Sequence, residues 1–214
     1  MSWGVLFYEI YNKEDSEKEE SKNAISVLVK YYIILGCIIS LFLSTFSFEI
    51  VKVVATPEYL PGIIVIPILL FSAIIAQLIE IIGVGITLSE KTIYFTYILV
   101  ISGLVNFGLN FLFVPLLSYY GAAFTTIIAY LVNLILTYKI SQRYFVARYD
   151  VLNLTFLFAL FLIISTIIPF FEIKKIFLFP IYLKLGIFFL CLSLPFLFGF
   201  INLNQFKNLL KRNS

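Results

Sequence analysis

The segment Gly62–Leu88 has the sequence GIIVIPILLFSAIIAQLIEIIGVGITL, in which Glu80 is the only charged residue. As an α-helix it would extend about 40 Å, which exceeds the ~30 Å hydrocarbon core of a bilayer. Five further apolar segments of roughly 18–26 residues follow the same pattern, with short polar breaks between them: Ala24–Phe48, Thr92–Leu117, Gly121–Tyr138, Val151–Phe171 and Ile181–Asn202. Six such segments predict an integral membrane protein.

The composition excludes a water-soluble fold, because 62% of the residues are hydrophobic and only 13% are charged. Backbone groups in lipid have no water to bond, so each segment must form a helix or a strand of a closed barrel. Barrel strands alternate in polarity over about ten residues. The runs Ile63–Ile75 and Phe156–Ile168 are apolar on every face. The sequence therefore predicts an all-α polytopic bundle of about six transmembrane helices, located in the cell (plasma or inner) membrane.

The distribution of Lys and Arg predicts the topology. If the N-terminus is cytoplasmic, ten basic residues lie in inner segments and three in outer ones, which favours N-in and C-in. Residues 1–23 then form a cytoplasmic interfacial and charged segment, 24–202 the six-helix transmembrane bundle, and 203–214 a cytoplasmic basic tail. Lys30 and Lys184 lie just inside segment ends, where we expect their long side chains to snorkel to the surface.

Two very short connections predict helical hairpins. Ser89–Lys91 joins the second and third segments inside, and Ser118–Tyr120 joins the third and fourth outside. We therefore expect consecutive segments to pack as antiparallel neighbours. Pro57 and Pro61, in the longest outer connection, are expected to end helical propagation.

Small and polar residues recur at helical spacing in the first four segments. The stripe in the first segment, Gly36, Ser40, Ser44 and Ser47, is typical of a helix–helix contact surface, because small side chains let backbones approach closely. The candidates for a substrate or ion pathway are the larger polar side chains of the other stripes: Gln77, Glu80, Asn106, Asn110 and Asn133. These amides either line a hydrated cavity or bond across helices.

Glu80 is the acidic residue placed well inside a segment, roughly 7–8 Å from the midplane on the cytoplasmic side. A carboxylate at that depth costs about 2.5–3.5 kcal/mol or more, so it should face the bundle or water and have a partner. One interpretation is a functional group in a transport path. The other is a structural Glu bonded to Gln77 or to a neighbouring helix.

Several function classes are disfavoured. The chain has no His, and we find no nucleophile–base set, phosphate-binding loop or paired carboxylates for a metal, so we expect neither enzyme activity nor a cofactor. No basic patch with interleaved aromatic residues indicates nucleic acid. Cys37 and Cys191 lie within apolar segments and are interpreted as small packing residues.

Four passages occur in an order that resembles a known family. They are Thr56–Pro61 opening the second segment, the turn Ser89–Lys91, Asn106–Asn110 with Phe113–Pro115, and Gly121–Ala123 entering a Thr-rich helix. Over roughly Leu6–Leu203, the chain resembles the C-terminal half of a polysaccharide-biosynthesis flippase of the multidrug/oligosaccharidyl-lipid/polysaccharide exporter superfamily.

The resemblance implies movement of a lipid-linked oligosaccharide between leaflets, by alternating access between two helical bundles. The chain matches one such bundle, so it would be a fragment, the product of a split gene, or a half that assembles with a complementary N-terminal half or with itself. The expected partners are lipid-linked oligosaccharide and membrane lipid. Two alternatives stay open: half of a cation-coupled exporter of drugs or other amphiphiles, and a membrane assembly subunit that transports nothing.

Overall fold

The computed structural model describes residues 15–174 and 179–197, and every described element is helical. The α-helices are α1 (Asp15–Thr45), α2 (Ser47–Val54), α3 (Val65–Ile82), α4 (Val84–Leu88), α5 (Ile93–Leu117), α6 (Tyr119–Ser141), α7 (Val151–Ile173) and α8 (Ile181–Leu197). A 3-10 helix, Pro57–Ile64, precedes α3. The predicted all-α polytopic bundle is confirmed. The predicted tail at 203–214 and most of the segment 1–23 lie outside the described residues.

Five described segments are long and apolar enough to cross a membrane: Lys22–Thr45, Pro57–Leu88, Ile93–Leu117, Tyr119–Ser141 and Val151–Ile173. They match the first five predicted segments. The sixth corresponds to α8, whose described part is apolar but shorter. The second segment is not one continuous helix, because it begins as the 3-10 helix and is interrupted at Gly83.

The core lies between α1, α3, α6 and α7. Helix α3 packs against α1 on one side and α6 on the other, α7 packs along α1, and α8 contacts α1. Among the described helices, α5 makes an extensive contact with α6 alone. It is the most exposed of the long helices. The serines of the predicted stripe, Ser40 and Ser44 of α1 and Ser47 of α2, are buried as expected, and a Cβ added at Gly36 would lie 3.1 Å from Ile74 of α3.

The expectation that all consecutive segments pack as neighbours is correct for α1 with α3 and for α5 with α6. It is wrong for α6 with α7 and for α7 with α8, because neither pair makes an extensive contact in the described part of the chain. It is also wrong for α3 with α5. The reason is a contact of α4 with α6. The Ser141 hydroxyl donates to the Ile82 carbonyl at 2.6 Å and accepts from the Gly85 N–H at 3.0 Å. Because α4 is bonded to the end of α6, the chain enters α5 beside α6.

Both predicted tight turns are present. Glu90 in the first has φ 59° and Ser118 in the second has φ 53°, so each reverses the chain through a left-handed residue. Directly after the second turn, a Cβ added at Gly121 would lie 2.4 Å from the Phe113 carbonyl oxygen. Only glycine permits this approach of α6 to α5.

Candidate functional site

Polar side chains join α5 to α6 over the length of their contact. The Asn110 amide donates to Asn106 Oδ1 at 2.8 Å, and the Thr125 hydroxyl donates to Asn110 Oδ1. Further along, the Asn133 amide donates to the Ser102 hydroxyl oxygen at 3.2 Å. The Thr137 hydroxyl donates to Asn133 Oδ1 at 3.2 Å. We call these six residues the amide ladder.

The amide ladder is part of the packing contact between α5 and α6. Its three asparagines are half-buried, while Ser102, Thr125 and Thr137 are buried. An amide side chain that bonds a neighbouring helix is stabilised in an environment that offers no water. The structure thus brings Asn106, Asn110 and Asn133 together along one interface. Asn110 and Asn133 bond across it to Thr125 and Ser102, and Asn106 bonds Asn110 within α5.

Glu80 and Gln77 belong to a different surface. The Gln77 amide donates to Glu80 Oε2 at 3.2 Å within α3, and Glu80 is exposed on the outside of the bundle. Leu69 and Ala73 are exposed about two turns and one turn before Gln77, respectively. Residues 69, 73, 76, 77 and 80 therefore form one stripe along α3, which we call the α3 stripe. The candidates predicted from the sequence fall into two hydrogen-bonded sets, the amide ladder and the α3 stripe.

The α3 stripe differs in its chemistry from the exposed face of α5. Exposed positions of α5 carry large apolar side chains such as Leu104, Phe107 and Phe111, as expected of a surface in contact with lipid. The α3 stripe instead offers two alanines, an amide and a carboxylate after Leu69. A surface with small and hydrogen-bonding side chains suits water, a polar ligand or another helix better than acyl chains.

Sequence reasoning missed an ion cluster at the other end of the bundle. Lys184 of α8 is fully buried, and its Nζ lies 2.8 Å from each carboxylate oxygen of Glu49 in α2 and 2.6 Å from Glu172 Oε1 in α7. The expectation that Lys184 snorkels to the surface is therefore wrong. Its side chain is held inward because two carboxylates lie there. The signal in the sequence was the set of three charges at segment ends on one predicted side.

The predicted cytoplasmic end carries tyrosines and basic residues outside the membrane segments. Lys91 Nζ lies 4.7 Å from the centroid of the Tyr144 ring. A hydrogen bond from Tyr94 lowers the pKa of the Tyr144 hydroxyl, and the nearby Lys91 ammonium acts in the same direction. Burial raises the pKa of Tyr149 to about 12. Tyrosines beside basic residues are typical of anchors at a membrane–water interface.

The two cysteines are free and buried, which confirms their interpretation as packing residues. Within the described ranges, no group of three or more His, Cys, Asp or Glu side chains is placed to hold a metal ion. The chain matches no protein-family model, no curated protein and no solved structure.

Proposed function

We propose that the chain is one bundle of a two-bundle transporter in the cell membrane that moves a lipid-linked oligosaccharide between leaflets for polysaccharide biosynthesis. In this proposal, the chain pairs with a complementary half or with a second copy of itself. The α3 stripe lines the path between the bundles, and the lipid tails of the substrate stay in the bilayer.

The observation that carries this proposal is the exposure of Glu80 on a helix whose length spans the bilayer. Facing acyl chains, its carboxylate would cost about 2.5–3.5 kcal/mol or more, and its one bond to Gln77 replaces only part of the lost hydration. Water in a path between two bundles removes that cost. Transport proteins built from two similar units place their sites between the units.

The residues take different roles in this mechanism. Gln77 offers an amide to sugar hydroxyl groups, and Glu80 carries a negative charge that attracts a coupling cation rather than the substrate's phosphates. The amide ladder keeps α5 and α6 together as a rigid unit, with Asn106, Asn110 and Asn133 bonded mainly within that unit. The mechanism is binding and conformational exchange, and no covalent bond is made or broken.

The test is polysaccharide export in cells that depend on this chain, with the variants expressed at measured abundance. Glu80→Gln keeps the size of the side chain and removes its charge, and we expect it to reduce export at normal abundance. Glu58→Gln is the matched control, because Glu58 is an exposed carboxylate in the 3-10 helix, away from the α3 stripe. Normal export by Glu80→Gln at normal abundance would contradict the proposed role.

A second candidate, an assembly subunit that transports nothing, is favoured by the amide ladder, because three of the five polar candidates bond within the α5–α6 contact. For such a subunit, Glu80→Gln and Asn106→Ala would change abundance without changing export per molecule.

A third candidate, half of a cation-coupled exporter of amphiphiles, is favoured by the exposed carboxylate of Glu80. In that case, cells that carry Glu80→Gln would lose resistance to a lipophilic cation and would still export polysaccharide.

A further inference from the structure

The ion cluster of Glu49, Lys184 and Glu172 has one atom without a partner. A lysine ammonium has three N–H groups, and Lys184 has three oxygen contacts, at 2.8, 2.8 and 2.6 Å. Both oxygens of Glu49 accept from it, as does Glu172 Oε1. Glu172 Oε2 is buried and has no hydrogen-bond partner among the described residues.

The charges of the cluster do not balance. Two carboxylates against one ammonium leave one negative charge, and the two carboxylates differ in their access to water. The side chain of Glu49 is 34% exposed, whereas that of Glu172 is 2% exposed. Water can therefore solvate Glu49 but not Glu172. An ionised oxygen that is buried without donor or water is among the costliest groups a protein can contain.

Among the residues that the structure describes, no second cation lies beside Glu172. Lys52 and Lys174, the described lysines nearest in sequence to the two carboxylates, are exposed, and so is Glu58 of the adjoining 3-10 helix. The ring of Phe48 lies 5.9 Å from Lys184 Nζ. A metal ion needs several oxygen ligands, and no such group is present in the part of the chain that the structure describes.

We propose that this cluster is a proton-binding site, in which Glu172 carries a proton on Oε2 and accepts from Lys184 through Oε1. With that proton, one ammonium faces one carboxylate and the cluster is neutral. Release breaks the Oε2–H bond, leaves the electron pair on the oxygen and passes the proton to water at the exposed side of Glu49. The cluster then carries one negative charge in the core.

The proton holds α8 in position, whatever substrate the bundle carries. Helix α8 contacts α1 and has no other extensive contact among the described helices. Its Phe188 ring lies 5.5 Å from the Phe42 ring of α1, and Cys191 is buried in the core. The ion cluster is the attachment of α8 to α2 and α7. An ionised Glu172 becomes solvated only when this end of α8 opens to water, so loss of the proton favours opening of the end of α8 that carries Lys184.

Two variants with the same chemical change distinguish a protonated from an ionised Glu172. Glu172→Gln replaces a neutral carboxylic acid by a neutral amide, so the purified protein should keep its unfolding midpoint at neutral pH within about 2 °C. Glu49→Gln removes the charge that balances Lys184, and its midpoint should fall by roughly 6 °C or more. The midpoint is measured by the reaction of the buried thiols Cys37 and Cys191 with a fluorogenic maleimide.

The pH dependence has a defined sign. A buried carboxylic acid that is protonated in the folded state stabilises that state at low pH, and the stability is lost as the acid ionises. The midpoint of the wild-type protein should fall as the pH rises above about 4.3, the ordinary pKa of a glutamate, and that of Glu172→Gln should fall less at the same pH values. The comparison at equal pH removes the effect of pH on the thiol reaction.

Infrared spectroscopy supplies a readout that does not depend on stability. The wild-type protein should show the carbonyl band of a protonated carboxylic acid at neutral pH, and the band should be lost in Glu172→Gln and kept in Glu58→Gln, whose carboxylate is exposed and lies outside the cluster. Equal destabilisation by Glu172→Gln and Glu49→Gln, failure of Glu172→Gln to fold, or absence of the infrared band would each overturn the proposal.

Discussion

Replacing Gly121 by alanine tests the close approach of α5 and α6. A Cβ at this position would lie 2.4 Å from the Phe113 carbonyl oxygen and 2.7 Å from its carbon, and both are backbone atoms that no rotamer change can move. Gly108, on the exposed side of α5, is the matched control, because a Cβ there meets nothing within 4 Å. The same substitution is thus made at a crowded position and at an open position of one helical hairpin.

The expected changes in unfolding free energy follow from two opposing contributions, helix propensity and overpacking. Alanine is favoured over glycine in a helix by about 0.5–1 kcal/mol, which Gly108→Ala gains in full. At Gly121 the helices must separate by about 1 Å to restore ordinary contact, and such overpacking costs a net of about 1–3 kcal/mol. The two variants should therefore differ by about 1.5–4 kcal/mol in their free energy of unfolding, or roughly 3–15 °C in midpoint.

The assay is thermal unfolding of both purified variants in one detergent, followed through the buried thiols. The reasoning would be refuted if Gly121→Ala unfolded at the same temperature as Gly108→Ala or above it. That result would mean that α6 does not approach the backbone of α5 at this point. The amide ladder would then lack the close contact that its hydrogen bonds require.

Three further predictions concern single contacts. In a double-mutant cycle of Asn110→Leu and Thr125→Val, the two sites should couple by about 0.6–1.7 kcal/mol of unfolding free energy, and additive effects would exclude the bond between them. Ser141→Ala should cost about 1–3 kcal/mol, because it leaves a buried backbone N–H of α4 unpaired. An unchanged midpoint would contradict this contact. Cys37 and Cys191 should resist an aqueous maleimide until the protein is denatured, as counted by mass spectrometry; rapid labelling when folded would contradict their burial.

The hydropathy pattern predicted most helix bounds well because each bound is a local change of polarity. The fifth segment was predicted as Val151–Phe171 and the helix is Val151–Ile173; the third was predicted as Thr92–Leu117 and the helix is Ile93–Leu117. The packing of α3 against α6 instead of α5 could not be predicted in this way. It depends on a hydrogen bond between Gly85 and Ser141, which lie 56 residues apart.

The candidate site was predicted only in part for the same reason. Helical spacing placed Asn106 and Asn110 on one face of α5, and the structure agrees, but spacing within one helix does not say which helix that face meets. Ser102 and Thr125 also lie at helical spacing within their segments, but that spacing does not identify them as the partners of Asn133 and Asn110. Lys184 was misjudged because its partner Glu49 lies 135 residues away and Glu172 falls just after the predicted end of its segment.

The most direct test of the transport proposal asks what the α3 stripe faces. Single spin labels are placed at Ala73 on the α3 stripe and at Phe107 on the exposed face of α5, in a cysteine-free variant reconstituted in lipid together with its partner bundle. The label at position 73 should collide with a water-soluble nickel chelate, and the label at 107 with oxygen dissolved in lipid. If position 73 is as accessible to oxygen and as shielded from the chelate as 107, the stripe faces lipid and no aqueous path lies beside Glu80.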